Sequence, residues 1–413
     1  MIALLLLTAS LAAPSQDTLT AAARRVLADV QFLADDRQEG RGVGTAGLER
    51  AGAYIRDAFK HAGLQVSFQN FAIPADAPAV LHTGLGGTPT RNVVAVIPGT
   101  AATRGEIVVV GAHYDHLGMG GFGALDPDST GRVHNGADDN ASGTAALLEI
   151  GRILAHRRPA RTVVLVAFSG EELGTLGSSY FVGHATPEPI DSLYTMLNLD
   201  MVGRLRNARL LALGAATARE FPALLDSLNT PPRFDLRASG DGWGSSDHEV
   251  FFATRHPVLH FFTDLHEDYH RSTDDWPKLN VNGIAQVAQF VADLALVLAD
   301  RSGPLTFVDA PRPQATAGGS GYGAYLGTIP DMSGGVPNGQ GVKITGVRAG
   351  SPAAQAGLAA GDVITTIGGK HIGNLYDMTD ALRSHQPGDT VVIVSTRDGV
   401  ERRATTVLGK RGT

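Results

Sequence analysis

From Thr18 to about Ala299 short β-branched runs alternate with longer amphipathic ones, the pattern of helices packed on a largely parallel sheet. The runs predict strands over Asn92–Ile97, Ile107–Gly111, Thr162–Phe168, Tyr194–Asp200 and Pro257–Phe262. Helical periodicity marks Leu19–Ala34, Ala46–His61, Ser142–His156, Thr217–Leu228 and Asn282–Leu298. The last places Ile284, Val287, Val291, Leu294 and Leu298 on one stripe, which should lie against the sheet. A stretch rich in Pro, Gly, Ala and Ser, Asp309–Gly321, then breaks the periodicity, so residues 301–320 read as a linker. Short strands around a helix candidate at Leu375–Ser384 follow. The expected architecture is an α/β domain over residues 18–300, with a mostly parallel central sheet flanked by helices, and a small β-rich domain over 321–410.

The chain begins with an apolar run, Met1–Ala13, too short to span a bilayer and ending in small residues before Pro14. It reads as a secretory signal, although no Lys or Arg precedes it, and predicts an exported protein, periplasmic or extracellular and bacterial. No other stretch is expected to be long and apolar enough for a transmembrane helix.

Composition narrows the chemistry. Lys and Arg total 34 against 41 Asp and Glu, a net charge of −7, which argues against nucleic acid as a partner. From Gly321 onward nine Lys and Arg face seven Asp and Glu, so the first 320 residues carry −9 and the acidity belongs to the first domain. The chain has no cysteine, which excludes disulfides, thiolate metal sites and a cysteine nucleophile. Any metal must be held by histidine and carboxylates.

Five polar clusters fall at the ends of the predicted strands, where open α/β sheets bind their ligands: His113-Tyr-Asp115, Gly136–Gly143, Glu171-Glu172, Asn198-Leu-Asp200 and Tyr269-His270. Any one of them could be a structural feature. Together they supply two histidines and several carboxylates, an inventory suited to one or two zinc ions, with manganese or cobalt possible.

Gly111-Ala-His-Tyr-Asp-His116, Asn135-Gly-Ala-Asp-Asp-Asn-Ala-Ser-Gly143, Phe168-Ser-Gly-Glu-Glu172 and Asn198-Leu-Asp-Met-Val202 resemble, in order and spacing, family twenty-eight of the metallopeptidases in clan MH, the co-catalytic zinc aminopeptidases. The resemblance covers roughly Leu19 to Leu298. It implies the zinc exopeptidase fold and two zinc ions per chain, one held by His113, Asp139 and Asp200 and the other by Asp139, Glu172 and His270, with Asp139 bridging. Counting back three from Ser142, as the family pattern requires, selects Asp139 over Asp138, which is left with a role in the turn. Two such ions would polarise a carbonyl, generate a metal-bound hydroxide and neutralise a tetrahedral intermediate. Glu172 is then the ligand and Glu171 the general base that carries the water proton to the leaving amine. Asp115 is suited to accept the second ring N–H of His113 and fix its tautomer. Tyr269 is placed to donate to the oxyanion or to pack on a ring. His116, His134, His248 and His266 are expected to support the site rather than ligate, and the Gly-rich loop Leu117–Gly136 either borders the cleft or is a plain excursion.

Tyr325-Leu-Gly-Thr328, Gly341–Ala353, Ala356–Ile364 and Asn374-Leu-Tyr-Asp377 resemble a PDZ domain of bacterial type. The resemblance implies a groove in which a peptide adds as a strand, its terminal carboxylate held by the backbone of Tyr325–Gly327. Docking of this module on the first domain is the alternative use.

The sequence therefore predicts an exported dinuclear zinc aminopeptidase with peptide substrates and a C-terminal PDZ domain. The rivals are a carboxypeptidase or dipeptidase of the same fold, a glutaminyl cyclase with a single metal, and a non-catalytic peptide-binding protein working through the PDZ groove.

Overall fold

Three neighbouring strands of seven residues each are mostly apolar and buried along their whole length, as strands covered on both faces must be. They are Ile107–His113 (β3), Thr162–Phe168 (β4) and Leu193–Leu199 (β5). The computed structural model describes residues 19–311, 324–331 and 341–409, apart from 78, 81–82, 127–128, 374–376, 379–380 and 383. The first sheet adds Gln65–Ala72 (β1), Pro89–Ile97 (β2), Arg209–Leu213 (β6), Asp235–Ser239 (β7) and Val258–Phe262 (β8), in the order β1-β2-β4-β3-β5-β8-β6-β7. The four central strands, β4, β3, β5 and β8, run parallel. Antiparallel ladders flank them where β1 meets β2, β2 meets β4 and β6 meets β8, and β6 and β7 are again parallel.

Helices Ala21–Leu33 (α1), Ala46–His61 (α2), Gly143–Leu154 (α3) and Val281–Asp300 (α7) pack on one another and on the sheet through a single large core. Thr20 and Thr45 cap α1 and α2 by accepting N–H bonds three residues on. Helices Leu176–Gly183 (α4) and His248–Ala253 (α6) contribute to the opposite layer, where Phe168, Phe181 and Phe251 meet edge to face or tilted. Phe221–Leu228 (α5) packs against α7.

By length and composition alone Val281–Asp300 is apolar enough to cross a membrane, contrary to the expectation that no such stretch lies beyond the leader. Its apolar character has another cause: Ile284, Val287, Val291, Leu294 and Leu298 are all fully buried in the core of the first domain.

The second domain has its own core and a sheet of six antiparallel strands. Thr328–Pro330 (β9), Val342–Val347 (β10), Val363–Ile367 (β11), Thr390–Arg397 (β13) and Val400–Val407 (β14) lie in the order β14-β13-β11-β10-β9, with Lys370–His371 (β12) paired to β11. A short helix, Pro352–Gln355 (α8), is capped by Ser351. The helix candidate Leu375–Ser384 lies partly outside the described residues, and the leader wholly so.

The linker expected over 301–320 begins later. Thr306, Phe307 and Val308 adhere to the first domain: Phe307 bridges Ala218, Val308 N–H donates to Thr217, and Arg219 N–H donates to Thr306. Trp243 Nε1 donates to Ala310 at 3.0 Å, and Phe307 packs on Phe252. These apolar and hydrogen-bonded contacts make residues up to Ala310 part of the domain; residues 312–323 lie outside the described set.

Candidate metal centre

The candidate residues hang from the C-terminal ends of the four parallel strands. His113 is the last residue of β3, Glu171 and Glu172 follow β4, Asp200 follows β5, and His270 lies in the loop after β8. Asp139 comes from the loop that enters α3.

That loop is held by its own polar residues. Asn140 Oδ1 accepts the N–H groups of Gly143 and Met201 while its amide donates to Leu199 O, so one side chain ties the Asp139 loop to the Asp200 loop. Ser142 Oγ donates to Asp138 and accepts the Val202 N–H. Asp138 is indeed consumed here: Oδ1 accepts from Gly203 N–H at 2.6 Å and Oδ2 faces His266 Nε2 at 3.1 Å. A Cβ on Gly143 would collide with Asn140 Oδ1 and the Leu199 carbonyl, which explains the glycine that closes the motif.

His113 Nε2 lies 3.4 Å from Asp139 Oδ1 and 3.4 Å from Asp200 Oδ1. On the other side of Asp139, His270 Nε2 lies 3.2 Å from Oδ2 and 3.1 Å from Glu172 Oε2. Asp139 thus stands between two sets of donors. His113 Nδ1 is 3.2 Å from the Asp115 carbonyl and His270 Nδ1 is 2.9 Å from the Gly123 carbonyl, so each ring donates its Nδ1–H to backbone and turns Nε2 toward carboxylate oxygens. A proton on each Nε2 bonds to these oxygens, as the raised proton affinity of both rings requires, and a divalent cation joining the same atoms would displace it. The donor set therefore fits zinc on both sides of Asp139.

His116 comes as close as His270. Its Nδ1 is 2.7 Å from Glu172 Oε1, and a second grouping of donors within 4.8 Å of one another joins His116, Asp139 and Glu172, beside His113, Asp139 and Asp200. The hydrogen bonds separate the two rings. His116 uses Nδ1 as a donor to Glu172 and so orients that carboxylate, whereas His270 spends its N–H on Gly123 and keeps Nε2 for the centre. The remaining histidines stand apart: His134 pairs with Asp126, and His248 stacks on His260 at 4.4 Å.

Asp115 departs from its expected role. Its carboxylate is 3.8 Å from His113 Nδ1, while its backbone carbonyl is nearer and takes the ring N–H. The carboxylate instead accepts the backbone N–H groups of Glu171 and Glu172 at 3.1 and 3.3 Å, holding the turn that presents both glutamates. Tyr269 stacks on His270 with centroids 3.9 Å apart and borders Met201 and Phe262, the packing alternative.

Burial and mutual repulsion set the charges. Burial, then Glu172, Asp247 and Asp200, push the Glu171 carboxyl well above its ordinary range against the pull of His113. Glu172 is held at about 2 despite burial, chiefly by His270 and His116. Burial opposes protonation of His113 and His270, but the facing carboxylates prevail and raise both well above the usual imidazole value.

Several residues had no sequence signal. Asp247 is fully buried behind the centre, neither carboxylate oxygen makes a hydrogen bond among the described residues, and burial raises it to about 7. Ser246 donates to Asp200 Oδ2 at 2.8 Å and is itself held by Asn198. Asp274 accepts the N–H groups of Asp138 and Asp139. Only the Ser246-Asp247-His248 run, a cluster of polar residues before an apolar helix, would have drawn the eye. The Gly-rich loop is fastened to the His270 segment: Leu125 N–H donates to His270 O, and Asp126 Oδ2 accepts from the amide and hydroxyl of Ser272.

Residues 92–295 match the model of Peptidase family M28, and residues 324–408 match that of the PDZ domain. The chain carries an M28 peptidase domain followed by a PDZ domain. Aminopeptidase YwaD of Bacillus subtilis is 34% identical over 114 residues, 28% of this chain and 22% of that one. A probable zinc metalloprotease of Leptosphaeria maculans is 39% identical over 112 residues, 27% of this chain and 24% of that one. The matched stretches thus span about a quarter of these curated relatives. Among solved structures, an aminopeptidase from Aneurinibacillus sp. strain AM-1 superposes with a TM-score of 0.55 at 18% identity, over 71% of this chain and 98% of that one. The glutaminyl cyclase of Porphyromonas gingivalis does so with 0.56 at 20%, over 66% and 96%. The M28 fold therefore accommodates more than one reaction, and the site must choose between them.

Proposed function

We propose that the chain is a zinc-dependent exopeptidase that removes N-terminal residues from peptides, with two ions per chain and Glu171 as the general base. The observation that carries this reading is the placement of Asp139 between two donor sets, His113 with Asp200 and His270 with Glu172, while Glu171 belongs to neither donor grouping and feels the charges of His113, Glu172 and Asp200. A single-metal cyclase has no use for two complete sets.

Zinc, when bound, supplies Lewis acidity to the scissile carbonyl and to the attacking water. His113, Asp139 and Asp200 would hold one ion, and Asp139, Glu172 and His270 the other. The protein supplies the proton traffic. A Glu171 carboxylate oxygen takes a proton from water and returns it to the leaving amine, a task suited to a carboxyl whose affinity for protons burial has raised. Asp115 fixes the Glu171–Glu172 backbone, and His116 fixes the Glu172 carboxylate. Ser246 engages one oxygen of Asp200 and leaves the other facing His113.

A carboxypeptidase would need a cation for the substrate's terminal carboxylate, and the arginines behind the centre are committed elsewhere: Arg41 to four carbonyls and Arg204 to Asp268 and Asp274. Hydrolysis of free-amine and N-blocked dipeptides, with and without zinc, decides the matter. Cleavage confined to free-amine substrates is expected; equal cleavage of N-blocked peptides would reject aminopeptidase action.

The PDZ domain is proposed to take peptide C-termini. Tyr325 N–H is already donated to Gly409 O, so capture of a carboxylate by the Tyr325–Gly327 loop falls to the amides of Leu326 and Gly327. Export remains a proposal resting on the Met1–Ala13 run; a mature N-terminus near Ala13 or Pro14 would support it, and an intact Met1 on cytoplasmic protein would refute it.

A further inference from the structure

Among the described residues Arg41 is the largest fully buried side chain, at 0% exposure, and it forms no ion pair with them. It lies outside the family match at 92–295, in a loop where Glu39, Gly40 and Arg41 all have positive φ (52°, 55° and 47°). Such a run of left-handed residues is costly for non-glycine side chains, and here it turns the guanidinium inward. Close packing holds the loop there: a Cβ on Gly40 would collide with the carbonyl of Gly118.

The guanidinium's bonds all go to backbone. Nε donates to Tyr114 O at 2.7 Å, Nη1 to Leu33 O and Asn135 O at 2.7 Å each, and Nη2 to Gly136 O at 2.9 Å. The Arg41 carbonyl accepts the His116 N–H at 3.2 Å, and Gly40 O accepts the Gly118 N–H at 3.1 Å. Tyr114 follows His113, and Asn135-Gly136 leads into the Asp139 loop. One planar group thus joins the end of α1 to the two segments that deliver His113 and Asp139. Because its partners are neutral carbonyls, no counter-ion consumes its charge, and the carboxylates that act on it are Asp139, Asp115, Asp274 and Glu172. Lysine could not replace it, since an ammonium cannot reach four diverging carbonyls from one point.

We propose that Arg41 is a positioning residue of the metal centre, fixing the separation of the His113 and Asp139 segments and placing a buried positive charge behind their carboxylates. This rests on the zinc-binding reading above. Partners that orient ligands typically contribute about 10–100-fold to metal affinity. A comparison residue exists in the same domain: Arg161, 2% exposed, donates Nη1 to Leu298, Ala299 and Arg301 carbonyls at the start of β4, the end opposite the centre.

The test measures zinc affinity of full-length protein by competition with a chelator for wild type, Arg41→Lys and Arg161→Lys, with thermal unfolding beside it. Arg41→Lys should weaken zinc by tenfold or more, while Arg161→Lys should lower the melting temperature and leave zinc affinity within twofold. Equal affinities for folded Arg41→Lys and wild type would overturn the proposal. Should Arg41→Lys not fold, hydrogen exchange on wild type replaces it, because coupling is reciprocal and zinc must then slow the amides of His116 and Gly118. Unchanged exchange there on adding zinc would also overturn it. Wild type that binds no zinc would remove the functional reading itself, an outcome distinct from both.

Discussion

The two domains treat charge in opposite ways. In the M28 domain a core of helices on both faces of the sheet encloses Arg41, Asp115, Asp138, Asp139, Asp247 and Asp274, whereas in the PDZ domain Asp362 is the only buried ionisable side chain among the described residues. Asp362 is matched by one fork, Arg397 Nε and Nη2, at 2.5 and 2.7 Å. The difference follows from what each must bind. A site for cations has to gather anions that repel one another, and only a large, rigid surround holds them together against that repulsion. A groove for a peptide works through backbone amides and needs no buried charge.

Breaking the charge cluster should have the largest consequences. Asp139→Ala removes the residue shared by both donor sets, so zinc binding should fall below two ions per chain and activity should vanish; metal analysis of the purified variant checks this. Glu171→Gln should keep both ions and lose about 10²–10⁴-fold in turnover, since a proton shuttle contributes that much. A loss under tenfold would take the base role away from it.

The two rings beside Glu172 sharpen the assignment. His270→Ala should abolish binding of the second ion, whereas His116→Ala should weaken it by about 10–100-fold, the effect of losing an orienting bond. Zinc titration ranks them, and the reverse order would exchange their roles.

Two stacked histidines should make part of the M28 domain's stability acid-labile. Burial depresses His260 to about 4 and lowers its stacked neighbour His248 as well, so both stay neutral in the folded protein while the unfolded chain protonates near the usual 6.5. Their contribution is intact above pH 6.5 and is lost as pH falls toward the folded values. His260 alone should withdraw roughly 3 kcal/mol between pH 7 and 4. Because the raised Asp247 and Glu171 carboxyls act in the opposite direction, the test is the difference in denaturant midpoint between wild type and His260→Gln across that range; a difference that does not turn against wild type on acidification would contradict it.

In the PDZ domain Arg397→Met strands the Asp362 carboxylate and should lower that domain's melting temperature in thermal unfolding. The smallest effect is expected from removing the domain. A chain ending after Pro311 should cleave a dipeptide within about twofold of full length, while one ending at Arg301 should be less stable because it loses the Phe307 bridge to Ala218 and the Val308 bond to Thr217. Loss of dipeptide cleavage in the longer truncation would show that the domains share the site.

What the sequence by itself determined was local. Thr162–Phe168 and Ala46–His61 match their elements end to end because periodicity and caps lie within the segment. The clusters at His113, Asp139, Glu171-Glu172, Asp200 and His270 were visible because each sits in a short polar run at a strand end or in a loop. Strands β1 and β7 were not, since they lie at the edges of the sheet, largely exposed and without a continuous apolar run, and β6 offers only the four apolar residues Leu210–Leu213. Tertiary structure alone decided that the Asp115 carboxylate serves the Glu171 and Glu172 amides, that His116 Nδ1 meets Glu172 while His270 Nδ1 meets the Gly123 carbonyl, and that Arg41, Asp247 and Asp274 stand behind the centre. The reason is separation along the chain: Arg41 meets Gly136 across 95 residues and Asp274 meets Asp138 across 136, and no periodicity records a contact between segments so far apart.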